Sequence, residues 1–197
     1  SVRKDLEFLM RVLGIDPAAA GPAGYGVVES DGRSLRVLRF GVLGRSPRRP
    51  SAFAERLRAI HGLVAALVEE FSPDAVAIES VFTALNMKTA LKLAEVRGVV
   101  TLAAAQAGVP VQGYAPREVK ASVAGYGHAS KQQMQQMVRA TLNLREVPEP
   151  ADAADALAVA LCHIFAMQAG SRMAAATRTA PPGRASRAAA RRIQSQR

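Results

Sequence analysis

The sequence predicts an α/β domain with a mixed five-stranded sheet flanked by helices on both faces, and three observations carry that prediction. Short runs rich in Val, Ile and Tyr alternate with longer segments of helical apolar spacing. The first three strand-like runs are joined by short links, which favours antiparallel pairing, whereas the later ones are separated by helices, so the sheet is mixed. A chain of 197 residues with 49% hydrophobic content is long enough to bury one substantial core.

Met10 to Asp16 (MRVLGID) contains the first strand, from Arg11, and Tyr25 to Glu29 reads as its neighbour across an Ala/Gly/Pro loop. Leu35 to Leu43 is the third strand, ended by Gly44 and the breaker SPRRP at Ser46 to Pro50. From Ser51 to Phe71, Phe53, Leu57, Ile60, Leu63, Val64, Leu67, Val68 and Phe71 recur at helical spacing until Pro73 stops the run. Asp74 to Glu79 (DAVAIE) is nearly continuous in apolar residues, as a strand covered on both faces requires, with Glu79 at its end. Asn86 to Gln106 is a long helix closed by Gly108 and Pro110, followed by a strand from Val109 to Tyr114. Pro116 to Ala124 and Ser130 to Leu142 are two further helices around the GYGHAS loop, and Ser130 with Gln133 has capping-box spacing. A last helix starts near Ala151, after Pro148 and Pro150, and is expected to end near Gln168.

Composition divides the chain further. All 16 acidic residues precede Gly170, while seven of the 26 basic residues follow it. The expected organisation is therefore an N-terminal extension over 1–9, a folded domain over 10–169, and a basic, disordered tail over 170–197 that has too few large apolar groups to offset its chain entropy. The formal charge of +10 favours nucleic acid or another anionic partner. The single cysteine, Cys162, excludes an intramolecular disulfide and a zinc site built on paired thiolates. No run of about 18 apolar residues stands out, and the early Asp5 and Glu7 do not suit a signal peptide, so a soluble cytoplasmic protein with no membrane role is expected.

Four acidic residues occupy unusual settings. Asp16 ends an apolar strand, Glu79 ends another, and Asp152 and Asp155 lie three apart in the first turn of the last helix, on one face. For the last two, taken alone, capping or compensation of the helix dipole is the simpler reason. Exposure at a strand end would account for Glu79, and a turn-forming role for Asp16. Strand termini are nevertheless where α/β sheets place their sites, and a carboxylate among apolar neighbours is costly unless it meets a cation or several donors. An all-oxygen donor set of high charge selects Mg²⁺ or Mn²⁺ over Zn²⁺, and two such ions suit displacement at a phosphodiester. Gly24 and Gly26 lack the lysine of a phosphate loop and a dinucleotide fingerprint, so tight strand geometry is their expected role. Cys162 and His163, on the apolar last helix, are expected to be core residues. His128 and His61 carry no chemical expectation.

Five blocks together resemble the RuvC family: MRVLGID with Gly24-Tyr25-Gly26, AIESVF at Ala77 to Phe82, ALKLAEVRG at Ala90 to Gly98, YAPREVK at Tyr114 to Lys120, and ADAADAL at Ala151 to Leu157. They occur in family order and cover most of the chain. The resemblance implies a ribonuclease-H-like fold and a homodimeric endonuclease that resolves Holliday junctions in DNA recombination and repair, leaving a 5′-phosphate and a 3′-hydroxyl. It makes Asp16, Glu79, Asp152 and Asp155 the catalytic, metal-binding set for Mg²⁺, two per site, with Mn²⁺ able to substitute. It makes Phe82 an aromatic that stacks at the junction, and Lys120 and Lys131 basic groups near the scissile phosphate, where a core aromatic and solvated lysines are the plain alternatives. It implies RuvA- and RuvB-type branch-migration partners and a bacterial cytoplasm, at the nucleoid.

Three departures from the family pattern bear on function. The first carboxylate is usually followed by Pro-Gly, but Asp16-Pro17 here leads into Ala18-Ala19-Ala20. Leu85 replaces a usual basic residue, with Lys88 a substitute for the lost charge, and Ser1 to Leu9 precede the family's usual start. A junction-binding protein whose altered loop impairs catalysis, and a related nuclease acting on structured RNA, are the alternatives. An actin-like ATPase would need a second nucleotide-binding half for which there is no room.

Overall fold

A computed structural model of the chain describes residues 9–19, 21–43, 53–80 and 86–179. Ten elements follow in the order β1 (Met10–Asp16), β2 (Ala23–Ser30), β3 (Leu35–Leu43), α1 (Phe53–Phe71), β4 (Ala75–Glu79), α2 (Met87–Gln106), β5 (Val111–Tyr114), α3 (Pro116–Ala124), α4 (Lys131–Thr141) and α5 (Ala151–Thr179). The strands form one sheet in the order β3-β2-β1-β4-β5. The β1–β2 and β2–β3 pairs are antiparallel, and β1–β4 and β4–β5 are parallel, so the expected mixed sheet is observed.

Alternation along the strands sorts the core into two layers. Leu13 and Ile15 of β1, Val27 of β2, and Val76 and Ile78 of β4 face one cluster with Ile60, Val64 and Leu67 of α1 and Val96 and Val100 of α2. Val12, Val28 and Ala77 face the other, with Val119 and Val123 of α3, Met134 and Val138 of α4, and Leu157, Leu161 and Ile164 of α5. Burial of each large aliphatic side chain contributes about 1.5–3 kcal/mol before chain entropy is subtracted. The helix starts follow local chemistry. Asn86 Oδ1 accepts from Thr89 N at 2.9 Å, Pro116 begins α3, and Ser130 and Gln133 form a reciprocal capping box.

Helix α5 approaches the sheet more closely than side chains would ordinarily permit. Gly14, Gly24 and Gly26 share one face of the β1–β2 pair, opposed as Gly14↔Gly26 and Asp16↔Gly24. A Cβ on Gly14 would collide with the Ala156 carbonyl, one on Gly24 with the Asp152 backbone, and one on Gly26 with the Leu157 side chain. Gly24 of the GYG segment thus admits the helix backbone and Gly26 the Leu157 side chain, a more specific role than strand geometry alone, and Gly14 completes the bed.

Two compact units divide between Phe165 and Ala166. The first holds the sheet and its helices. In the second, the described residues are helical to Thr179, past the expected end near Gln168, and residues 166–175 are largely exposed. Ala, Met and Arg are strong helix formers, so local propensity there sustains helix where apolar content alone predicts none. Residues 180–197 and 1–8 lie outside the described residues, as do the expected roles of tail and extension there. By length and composition Ala151–Ala175 could cross a membrane, a candidate the sequence reading passed over. Its burial from Ala153 to Ile164 marks it instead as a core helix.

Gly24→Ala is expected to destabilise the fold by at least about 1–3 kcal/mol in urea denaturation, because backbone rather than a flexible side chain must yield. Gly62→Ala in α1, where an added Cβ meets nothing within 4 Å, is expected to be neutral or to gain up to about 1 kcal/mol.

Candidate active site

The same alternation that builds the core aims the acidic residues. Asp16 follows Val12 and Gly14 on the α5 side of β1, and Glu79 follows Ala77 on the α5 side of β4, with Gly14 paired to Ala77 in the parallel register. Both carboxylates therefore leave neighbouring strand ends toward the same face. The glycine bed brings the first turn of α5 down onto that face. One carboxylate oxygen from each of Asp16, Asp152 and Asp155 lies within 4.8 Å of the others. Glu79 stands outside that close group but lines the same cleft of about 310 Å³ with Asp16, Lys120, Lys131, Met134 and Asp155.

Electrostatics separates this cluster from an ordinary structural carboxylate in the same sheet. Glu29 is 7% exposed, but its oxygens accept from Arg11 Nε at 2.7 Å and Arg36 Nη2 at 2.6 Å. Those hydrogen bonds, Arg11 first, hold its pKa below the usual range. Asp16 has no such pairing. Burial, then the like charges of Glu79, Asp155 and Asp152, push its carboxyl up to about 8, against a smaller opposing effect of Lys131. Burial, then Asp155, raises Glu79 to about 7, with Lys120 acting the other way. The cluster costs stability unless protons or cations neutralise it.

Lys131, at the first position of α4 behind the Ser130 cap, places Nζ 2.9 Å from Asp155 Oδ2. That hydrogen bond is the main reason its own pKa is raised. Lys120 projects from α3 into the cleft wall near Glu79. The structure thus brings together six of the seven residues singled out by sequence, since Asp152 joins the close group and the others line the cleft. Phe82, with Leu85, lies outside the described residues.

The donor set fits a hard divalent cation. It is all oxygen and highly charged, and it leaves protons bound well above the normal carboxylate range, as expected of ligands prepared for an ion. Cys162 and His163 are core residues as expected: Tyr114 Oη and His163 Nδ1 are 2.8 Å apart, and burial lowers the imidazole pKa. His61 Nε2 lies 2.8 Å from Gln106 Oε1, and His128 is exposed. Sequence reasoning missed Arg56, a buried cation of α1 that reaches the loop after Asp16. An arginine among the apolar positions of an otherwise amphipathic helix was the available signal.

Comparison with known proteins follows the geometry closely. The family model described as "Crossover junction endodeoxyribonuclease RuvC" matches residues 12–163. A crossover junction endodeoxyribonuclease RuvC from Chloroflexus aggregans is 50% identical over 156 residues, 79% of this chain and 93% of that protein. One from Idiomarina loihiensis is 48% identical over 176 residues, 88% and 97% of the respective chains. Among solved structures, RuvC of Thermus thermophilus in complex with a Holliday junction substrate is similar with a TM-score of 0.75 and 42% identity, covering 82% of this chain and 96% of that one.

The raised pKa of Asp16 has a signed consequence in chelator. An unfolded chain releases this proton near the ordinary 3.8, the folded one near 8. Within that window the native state binds more protons than the unfolded state, so the Asp16 contribution to stability falls as pH rises and is lost above about pH 8. Thermal unfolding in EDTA should therefore show Asp16→Asn matching wild type near about pH 4 and exceeding it near about pH 9. A difference that does not change with pH would contradict the assignment.

Proposed function

The chain belongs to the RuvC family of crossover junction endodeoxyribonucleases, and on that premise we propose that it resolves Holliday junctions by metal-dependent paired nicks in opposed strands during DNA recombination and repair. The observation that carries the reading is the convergence of carboxylates from β1, β4 and α5 on one cleft. The products are a 5′-phosphate and a 3′-hydroxyl. Asp16, Asp152 and Asp155 would hold one ion, and Glu79, which lines the same cleft as Asp16 and Asp155, would help hold a second, which suits a pair of Mg²⁺ ions with Mn²⁺ as substitute. When bound, such ions supply activated water and stabilise the leaving oxygen of an in-line displacement.

The protein's own groups do the remaining work. The four carboxylates fix where the ions, and with them the phosphodiester, can sit. Lys131 neutralises Asp155 in the absence of DNA, and its three rotatable donors allow it to turn to a phosphate oxygen as charge builds there. Lys120 supplies a second positive charge on the Glu79 side. Phe82, in the segment between β4 and α2, is the candidate for stacking on an unpaired base, by family resemblance. Asp16 stays in the close group despite the Ala18-Ala19-Ala20 sequence, so nothing favours an impaired binding protein. The named relatives are DNA enzymes, which disfavours an RNA nuclease.

A homodimer fits a substrate of approximate two-fold symmetry. The α2 surface supports it: Met87, Leu91 and Leu102 are exposed on one side, and Gly98 between them is open. RuvA- and RuvB-type proteins are the proposed partners for branch migration, and the bacterial cytoplasm, at the nucleoid, is the proposed location.

With a labelled four-way junction and Mg²⁺, wild type should nick opposed strands and Asp16→Asn should not; equal cutting would reject the site. Lys131→Ala should lower the single-turnover rate by about 10²–10³-fold while largely retaining junction affinity. Leu91→Glu combined with Leu102→Glu should sediment as a monomer and uncouple the paired nicks. A dimer of undiminished affinity would move the interface elsewhere.

A further inference from the structure

Arg56 is the least expected charged residue in the core. It lies on α1 among Ile60, Val64 and Leu67 and is 6% exposed. Among the described residues no carboxylate pairs with it, and its buried Nε has no hydrogen-bond partner. An unpaired buried cation is costly, and part of a guanidinium left unsatisfied adds to that cost. Two charge-assisted hydrogen bonds offset it: Nη2 donates to the Ala18 carbonyl at 2.6 Å and Nη1 to the Ala19 carbonyl at 3.1 Å. Those carbonyls belong to the second and third residues after Asp16.

The placement has a direct consequence for Asp16. The hydrogen bonds of Arg56 are with backbone carbonyls of the following loop and not with the carboxylate itself. The direct mechanical link from Arg56 to Asp16 therefore runs through the backbone of that loop. The loop lies between a strand that ends at Asp16 and one that begins at Ala23, paired Asp16↔Gly24, and the Ala18 and Ala19 carbonyls belong to it. A planar fork that grips two consecutive carbonyls restrains the backbone at that point.

The geometry points to Arg56 as a positioning residue: by clamping the Ala18 and Ala19 carbonyls it fixes the backbone that follows Asp16 and hence the aim of the first carboxylate toward Asp152 and Asp155. The assignment rests on the reading of these carboxylates as cation ligands. Lysine at this position keeps the charge but not the fork, since a single ammonium lacks the planar donor pair. Outer groups that orient a ligand affect metal affinity by about 10–100-fold, which sets the expected scale.

The test is calorimetric titration of Mn²⁺ into full-length wild type, Arg56→Lys and Arg56→Gln without DNA, well below their unfolding temperatures, with junction affinity measured in EDTA. Both variants should lose about 10–100-fold in Mn²⁺ affinity while retaining junction affinity, and their cleavage should recover as Mn²⁺ is raised. Should Arg56→Gln fail to fold, Arg56→Lys alone decides. Unchanged Mn²⁺ affinity in a variant with a lowered unfolding temperature would overturn the assignment and leave Arg56 a packing residue. Wild type that binds no Mn²⁺ would overturn the ligand reading itself, and this assignment with it.

Discussion

Close contact between the α5 backbone and a glycine-paved strip of sheet is the constraint on which the rest of this molecule depends. Gly14, Gly24 and Gly26 carry no side chain where Ala156, Asp152 and Leu157 press against β1 and β2. With ordinary side chains there, the helix would have to retreat and the apolar surfaces of Leu157, Leu161 and Ile164 would lose their partners. The same contact fixes the height of the helix's first turn above the sheet, and with it the separation of Asp152 and Asp155 from Asp16. Fold stability and site geometry are set by one packing decision.

That packing gathers negative charge that the fold alone does not compensate. The contrast with Glu29 is instructive, since a structural carboxylate in the same sheet is neutralised by Arg11 and Arg36 and its pKa is lowered. At the cleft the shifts are upward, to about 8 for Asp16 and about 7 for Glu79, and Lys131 supplies the one close ion pair recorded there among the described residues. On the proposed reading such a cluster costs stability without metal and recovers it on binding a cation, which would link folding and metal affinity through one set of residues. The backbone clamp from α1 gives this arrangement a second support, on the opposite side of Asp16 from α5.

Much of this was legible in the sequence because period, caps and strand ends obey local rules. The capping box at Ser130 and Gln133, the helical spacing from Phe53 to Phe71, and the apolar run before Glu79 each report a local preference that the tertiary structure agrees with. The carboxylates were legible for a different reason: acidic groups at the ends of apolar strands break the pattern around them. What could not be read was distance. Nothing in the residue types says that Gly14 receives a helix carbonyl, that Arg56 reaches across to the loop after Asp16, or that Glu79 stands apart from the three aspartates. Those facts depend on how layers stack, and long-range packing has no local signature. The helix beyond Gln168 was missed because weight was given to lost apolar content, while alanine-rich propensity persisted to Thr179.

The most direct test of the account is a crystal structure with Mn²⁺, located by its anomalous signal. The account predicts an ion within about 2.0–2.3 Å of oxygens from Asp16 and from at least one of Asp152 and Asp155, with a second ion toward Glu79. Mn²⁺ bound only at other acidic positions, with Lys131 still paired to Asp155 and the cleft empty at saturating metal, would contradict it.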